Sequence, residues 1–281
     1  MKLHDYIVSA DGFRGQLYDP QNHGEKVVII FMGGEGKFIS AGLLAEKLAE
    51  NGFASLALYY CKGIDLPQSF NMVPLDMVEK AIAMLKRYNN NQFQKIVTYG
   101  VSMGSILALM SGVVFKDISA VIAVSPTHII PEGFITKKKV SGQSFLTYRG
   151  EPYNYTSIDD TLPMYKYFSK AYESDEKAEM PVENISGNIL LLAGEKDRSW
   201  PASTSVDKMR LRIEAARCHE KLCTRVYDNG GHFIGIMPDM KKYKHLNLIR
   251  LMSKDELLHP KVCEKVREQS ERDVLKFLSD C

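Results

Sequence analysis

No stretch of this sequence is apolar for long enough to cross a bilayer: the longest runs, such as "VVIIFM" from Val27 to Met32, are of strand length. The opening "MKLHDYIVSADGF" lacks the apolar centre of a secretory leader, so the expectation is a soluble, cytoplasmic chain with no membrane partner. Cysteine is scarce and odd in number. Cys61, Cys218, Cys223, Cys263 and Cys281 are scattered without regular spacing, which fits reduced thiols better than a disulfide framework and points to a reducing compartment. An excess of either charge is missing too: 36 basic against 34 acidic residues leave a formal charge of +2, which gives no reason to expect a nucleic-acid partner. No repeat, low-complexity tract or linker marks a second domain.

What is present is an ordinary globular composition, 45% hydrophobic and 25% charged over 281 residues, enough to bury a sizeable core in a single domain, 1–281. The opening "YIVSADGFRGQLYDP" alternates loosely and turns at Asp11 and Gly12, as an antiparallel hairpin at a sheet edge would. Apolar runs without polar alternation follow at Val27 to Met32, Ala54 to Tyr60, Lys95 to Gly100, Ala120 to Ser125 and Ile189 to Ala193. Such runs suit strands covered on both faces.

Helical patterns separate them. "DMVEKAIAMLKRY" sets Val78, Ala81, Ile82 and Leu85 on one face, with Asp76 and Glu79 as a capping box. Another helix starts near Ser40 and stops at Asn51 and Gly52, and a last one spans about Val262 to Leu278. Alternation of this kind predicts an α/β protein with a mostly parallel central sheet and helices on both faces. Residues 127–185, with "TKKKVSGQ" and aromatics around Tyr165, Tyr167, Phe168 and Tyr172, interrupt the alternation and read as a lid-like insertion over the sheet.

The segment "KIVTYGVSMGSILALM" carries the chemistry. Gly100, Ser102 and Gly104 form a GxSxG match, which about one random chain in ten of this length would contain. Its setting makes it informative. A strand runs into it and a helix leaves it, which forces a tight turn, pushes Ser102 outward and requires small neighbours. The helix start also offers the Met103 N–H to an oxyanion.

A serine hydroxyl needs a base. His232, in the glycine-rich "YDNGGHFIG" after the apparent strand "TRVYD", comes late enough to meet it. His128 could line the pocket but precedes any candidate acid, and His4, His23, His219, His245 and His259 sit in polar settings typical of solvated surface. The acid is expected on the loop after "NILLLAG": Asp197, with Glu195 as rival. Ser102, Asp197 and His232 then follow the order nucleophile, acid, base of α/β-hydrolases. The second oxyanion donor should come from Gly33, Gly34, Glu35 and Gly36 after "VVIIFM", with Gly34 the first candidate and Glu35 the second. "GGEGKFIS" lacks the spacing of a phosphate-binding loop.

Two clusters carry less. Cys218, His219 and Cys223 lack a second ligand pair of zinc spacing, so no metal site is expected. Lys137, Lys138 and Lys139 read as a solvated loop that could meet an anionic substrate.

The elbow "YGVSMGSILALMS", the acid loop "GEKDRSWPAS" with Trp200, the base loop "GGHF" and the stretch "LAEKLAENGFASLALYYCKGIDLP" together resemble the C-terminal domain of the acyl-CoA thioester hydrolase and bile acid-CoA:amino acid N-acyltransferase family. The resemblance implies an α/β-hydrolase fold, acyl thioester substrates and an acyl-enzyme intermediate on Ser102, with Asp197 and His232 as acid and base. No counterpart of the N-terminal β-sandwich of the animal members is recognisable. Serine stands where the amidating members carry cysteine, which points to hydrolysis rather than conjugation. Such a mechanism asks for no metal or redox cofactor. Oxyester or small-peptide cleavage is open to the same three residues, and an inactive acyl-binding module is the alternative of a different class.

Overall fold

Val27 to Phe31 is apolar on both faces of an extended chain, and such a segment is stable only between two layers. The computed structural model describes every residue except 21–22, 35–37, 91, 137–138, 174–175, 218, 238–255 and 257, and it puts this strand at the centre of an eight-stranded sheet. In chain order the elements are β1 (Lys2–Tyr6), α1 (Val8–Asp11), β2 (Arg14–Asp19), β3 (Lys26–Phe31), α2 (Phe38–Glu50), β4 (Ala54–Tyr59), β5 (Val73–Pro74), α3 (Asp76–Arg87), β6 (Lys95–Val101) and α4 (Met103–Val114). There follow β7 (Ile118–Val124), β8 (Glu132–Thr136), β9 (Lys139–Ser144), β10 (Leu146–Tyr148), β11 (Glu151–Pro152), α5 (Met164–Ala171), β12 (Asn188–Gly194), α6 (Ala202–Ala215), β13 (Leu222–Tyr227) and α7 (Pro260–Asp280).

The large sheet has the order β1-β2-β4-β3-β6-β7-β12-β13. From β4 to β13 all pairings are parallel, while β1 with β2 and β2 with β4 are antiparallel. Successive residues of β3 serve opposite layers. Val27, Ile29 and Phe31 pack in a core shared with Val78 of α3, Ile106 and Met110 of α4 and Val206 of α6. Val28 and Ile30 pack in a second core with Leu44 and Leu48 of α2 and Val274 and Leu278 of α7. The period-two alternation of a strand thus gives each layer half of the side chains.

Chain order reverses at β3, whose successor β4 lies on one side of it and β6 on the other. In an open α/β sheet a crevice forms at the carboxyl ends of the strands at such a switch, and ligands bind there. The loop after β3 and the turn after β6 meet at this point.

Some local expectations need correction. Asp76 and Glu79 do not cap α3: its N-cap residue is Leu75, with no side-chain cap. Asp76 instead accepts the Arg149 N–H at 3.0 Å, and Glu79 takes the Tyr148 hydroxyl at 3.3 Å, so both carboxylates tie α3 to the turn after β10. The edge hairpin forms, but through the single turn α1 closed by Gly12 at φ 76°. Within 127–185, β8 and β9 make a separate antiparallel pair, and β10 adds in parallel to β5. Phe145, Leu146 and Phe168 from this region are buried in the same core as β3 and α4.

Candidate active site

Ser102 is the one residue between β6 and α4, and its backbone, at φ 57° and ψ −125°, lies where an L-residue is strained by about 1–3 kcal/mol. Surrounding contacts hold it there. Its N–H donates to the Val124 carbonyl of β7 at 2.9 Å, and its own carbonyl accepts both the N–H and the hydroxyl of Ser105, at 2.9 and 2.6 Å. The flanking glycines are needed because backbone passes close by: a Cβ on Gly100 would overlap the Gly104 carbonyl and one on Gly104 the Phe31 carbonyl. Gly33 approaches from the other side, where a Cβ would lie 2.9 Å from that of Ser102.

Asp197 sits on a turn that leaves β12 and folds back on the loop after β13. The Glu195 N–H donates to the Tyr227 carbonyl at 3.0 Å and the Lys196 N–H to the Gly230 carbonyl at 2.9 Å, while Gly194 leaves no room for a Cβ against Gly230 and Gly231. The Asp197 side chain is fully buried, a costly place for a carboxylate unless its oxygens are bonded. Oδ1 accepts the Ser199 N–H at 2.8 Å, and Oδ2 accepts His232 Nδ1–H at 2.7 Å. With its Nδ1 proton so engaged, the imidazole presents Nε2 as an acceptor, and the Ser102 hydroxyl lies 2.8 Å from it. Ser102, His232 and Asp197 therefore stand in one hydrogen-bonded row.

His232 is 8% exposed, and its ring meets the Trp200 ring edge to face at 5.1 Å between centroids. A knot that sequence reading missed secures it. The Ser125 hydroxyl donates to the His232 carbonyl at 2.8 Å, and Trp200 Nε1–H donates to the Ser125 carbonyl at 3.1 Å. Ser125 has φ 46°, so the turn after β7 is strained beside the one after β6. Beyond His232, the Ile236 N–H donates to the Tyr99 hydroxyl at 3.0 Å, and Gly235, at φ 77°, passes too close to Tyr99 for any side chain. No spacing rule marks Ser125 or Tyr99, because both act through backbone carbonyls and amides of distant loops.

Among the other expected residues, Met103 opens α4, where the first four N–H groups of a helix have no acceptor within it. Gly34 is exposed beside Gly33, and Glu35 lies outside the described residues. Glu195 is exposed and takes no part in the row. His128 is buried away from it, its Nδ1 3.0 Å from the Ser205 hydroxyl. His259 is exposed, but His4 and His23 are not the solvated residues expected. His4 bonds the Tyr88 hydroxyl at 2.9 Å, and His23, with its side chain 4% exposed, pairs with Asp19 at 2.9 Å. His245, Cys218, Lys137 and Lys138 lie outside the described residues, and Lys139 begins β9. Among the described residues no three His, Cys, Asp or Glu side chains are grouped to hold a metal ion, and no helix is long and apolar enough to cross a membrane.

The parallel sheet with its switch point, the tight turn after β6 and the loops after β12 and β13 that bring Asp197 and His232 to Ser102 define an α/β-hydrolase fold. A solved α/β hydrolase enzyme, MGS-M1, from a Medee basin deep-sea metagenome library shares it at TM-score 0.55 and 17% identity, over 83% of this chain and 84% of that one. The BAAT / acyl-CoA thioester hydrolase C-terminal family model matches residues 73–242, and the chain belongs to that family. Acyl-coenzyme A thioesterase 1 of Homo sapiens is 28% identical over 236 residues, 81% of this chain and 53% of that protein. Bile acid-CoA:amino acid N-acyltransferase of Mus musculus is 26% identical over 199 residues, 68% of this chain and 45% of the other. The chain spans about half the length of these relatives.

Proposed function

We propose that this chain is an enzyme that hydrolyses acyl thioesters of the acyl-CoA type through an acyl-serine intermediate on Ser102. The observation that carries the chemistry is the row from Ser102 Oγ to His232 Nε2 at 2.8 Å and from His232 Nδ1 to Asp197 Oδ2 at 2.7 Å. The choice of thioester rests on the kinship with acyl-coenzyme A thioesterase 1.

In this reading His232 Nε2 takes the Ser102 proton as Oγ attacks the acyl carbonyl. Buried Asp197 stabilises the resulting imidazolium and holds its Nδ1–H. The carbonyl oxygen becomes an oxyanion held by the N–H groups of Met103 and Gly34. Collapse breaks the C–S bond, the leaving thiolate takes the proton from His232, and the acyl group stays on Ser102. Water then repeats the sequence: it gives a proton to His232, attacks the acyl carbon and returns the serine with release of the acid. Residues 127–185 act as the cap, and the packing of Phe168 on Trp200, 4.8 Å between centroids, supports this by linking the cap to the residue that seats His232.

The test is a panel of acyl-CoA thioesters and p-nitrophenyl esters, with free CoA and nitrophenolate as readouts. Release of CoA that disappears in Ser102→Ala is the expected result. Turnover of p-nitrophenyl esters with no CoA released from any acyl-CoA would move the substrate class to oxyesters, and no turnover of either would leave an acyl-binding module.

A further inference from the structure

Two side chains that follow β4 bond to the loop that carries Gly34. Tyr60, 1% exposed, shares its single hydroxyl proton between the carbonyls of Met32 and Gly33, at 2.6 and 2.9 Å. Lys62 Nζ donates to the next carbonyl, that of Gly34, at 3.0 Å, and its ammonium lies 4.0 Å from the centroid of the Phe70 ring. Three successive carbonyls after β3 are thus drawn towards the end of β4.

The sheet order makes this directional. β4 and β6 lie on opposite sides of β3, so Tyr60 and Ser102 face the loop from opposite sides. The described residues contain no cis peptide, and in a trans peptide the C=O of one residue and the N–H of the next point in opposite directions. A Gly33 carbonyl turned to Tyr60 therefore turns the Gly34 N–H towards β6. Gly33 is also the residue whose missing Cβ lets the loop approach Ser102, with 3.4 Å from the Cβ position to Oγ.

We infer that Tyr60, with Lys62 beside it, is a positioning residue for the oxyanion hole: Tyr60 holds the Gly33–Gly34 peptide plane, and Lys62 the carbonyl on the far side of Gly34, so that the Gly34 N–H faces the oxygen of the carbonyl attacked by Ser102. The inference rests on the hydrolase reading above. A hydrogen bond into the carbonyl also polarises the amide, so the hydroxyl strengthens the donor it aims. The ring of Tyr60 fills the core, but only its hydroxyl reaches the site, and that separates the two roles.

Tyr60→Phe keeps the ring and removes the bond. Removing an oxyanion donor outright costs about 10²–10³ in kcat, so mis-aiming one of two should lower kcat about ten- to a hundredfold, with KM changed less than about twofold. An octylthio trifluoromethyl ketone, which forms a hemiketal oxyanion on the serine, should lose affinity by the same factor, while its methyl ketone counterpart binds as before. Lys62→Met, on a partly exposed side chain, should show the same pattern at about three- to tenfold. A folded Tyr60→Phe protein with kcat and fluoroketone affinity within about twofold of wild type would overturn the inference. Should that variant fail to fold, wild-type values for both readouts in Lys62→Met would overturn it equally. Failure of the hydrolase reading looks different: wild type would release neither CoA nor nitrophenolate, while fluorine NMR of the hemiketal would still report whether Tyr60→Phe weakens the oxyanion.

Discussion

Two buried histidines in this molecule each stand beside a serine and a carboxylate, and they are built for different ends. His232 has Ser102 at 2.8 Å on one nitrogen and Asp197 at 2.7 Å on the other. His128 has Ser205 at 3.0 Å, but its Nε2 finds Glu179 only at 3.8 Å, beyond hydrogen-bond reach. The carboxylates differ as well. Asp197 gives one oxygen to His232 and the other to a backbone N–H, whereas Glu179 shares its charge with Lys208 at 3.6 Å and Arg212 at 3.3 Å. Burial and the Lys208 ammonium pull the His128 pKa down from 6.5 to about 3, so it stays a neutral packing residue beside the Tyr172 ring. Of the two, only His232 has a carboxylate in hydrogen-bond contact with its ring, as the proposed proton relay requires.

The largest test of this contrast removes each serine hydroxyl in turn. Ser102→Ala should lower kcat by about 10⁴–10⁶ and abolish labelling by a fluorophosphonate, whereas Ser205→Ala should leave both within about twofold. The reverse result would transfer the relay to His128. Next come the carboxylates: Asp197→Asn should cost about 10²–10⁴ in kcat with little change in KM, while Glu179→Gln and Glu195→Gln should be close to silent. Steady-state kinetics on one thioester decides it, and a damaging Glu195→Gln with a silent Asp197→Asn would show the wrong acid.

The importance of contact distance can be probed without touching the three residues. Gly33→Ala places a Cβ 2.9 Å from that of Ser102, so the serine must move off His232, and a displacement of about 1 Å costs on the order of 10² in kcat. Gly34→Ala should keep nearly full activity, since its Cβ would meet nothing within 4 Å. Equal kcat values for the two variants would remove the close approach of Gly33 from the account.

The smallest effect concerns stability rather than turnover. Because His128 binds its proton in the unfolded chain near pH 6.5 and in the folded one only near pH 3, acidification through that window favours unfolding. The groups facing it, Glu179, Lys208, Ser205 and Tyr172, stay in place in a His128→Gln variant. Urea midpoints measured from neutral pH towards pH 4 should therefore fall less steeply in the variant than in wild type, with kcat at neutral pH changed only slightly. Parallel curves would mean that His128 does not titrate as described.

Strand and helix positions were legible because they depend on patterns a few residues long. β3, α3 and α7 lie where the unbroken apolar run, the Val78 to Leu85 face and the terminal apolar pattern put them, and the GxSxG context located the tight turn at Ser102. The capping box failed because Asp76 and Glu79 found partners at Tyr148 and Arg149, far along the chain. His4 and His23 look like surface residues in their local settings, and only the packing against Tyr88 and Phe93 encloses them.

The need for glycine at Gly100 and Gly104, the apolar faces of the strands and the order serine, aspartate, histidine are local or linear properties, and residue type alone expresses them. Contact among the three side chains is another matter. Ser102 and His232 are 130 residues apart, and their meeting depends on β6, β12 and β13 ending at the same edge of the sheet. Which histidine has a carboxylate in contact, which carbonyls Tyr60 holds and how far burial lowers the basicity of His128 follow from distances and exclusion of water. Those quantities exist only once the chain has folded, because Coulomb and hydrogen-bond energies act through space and not along the sequence.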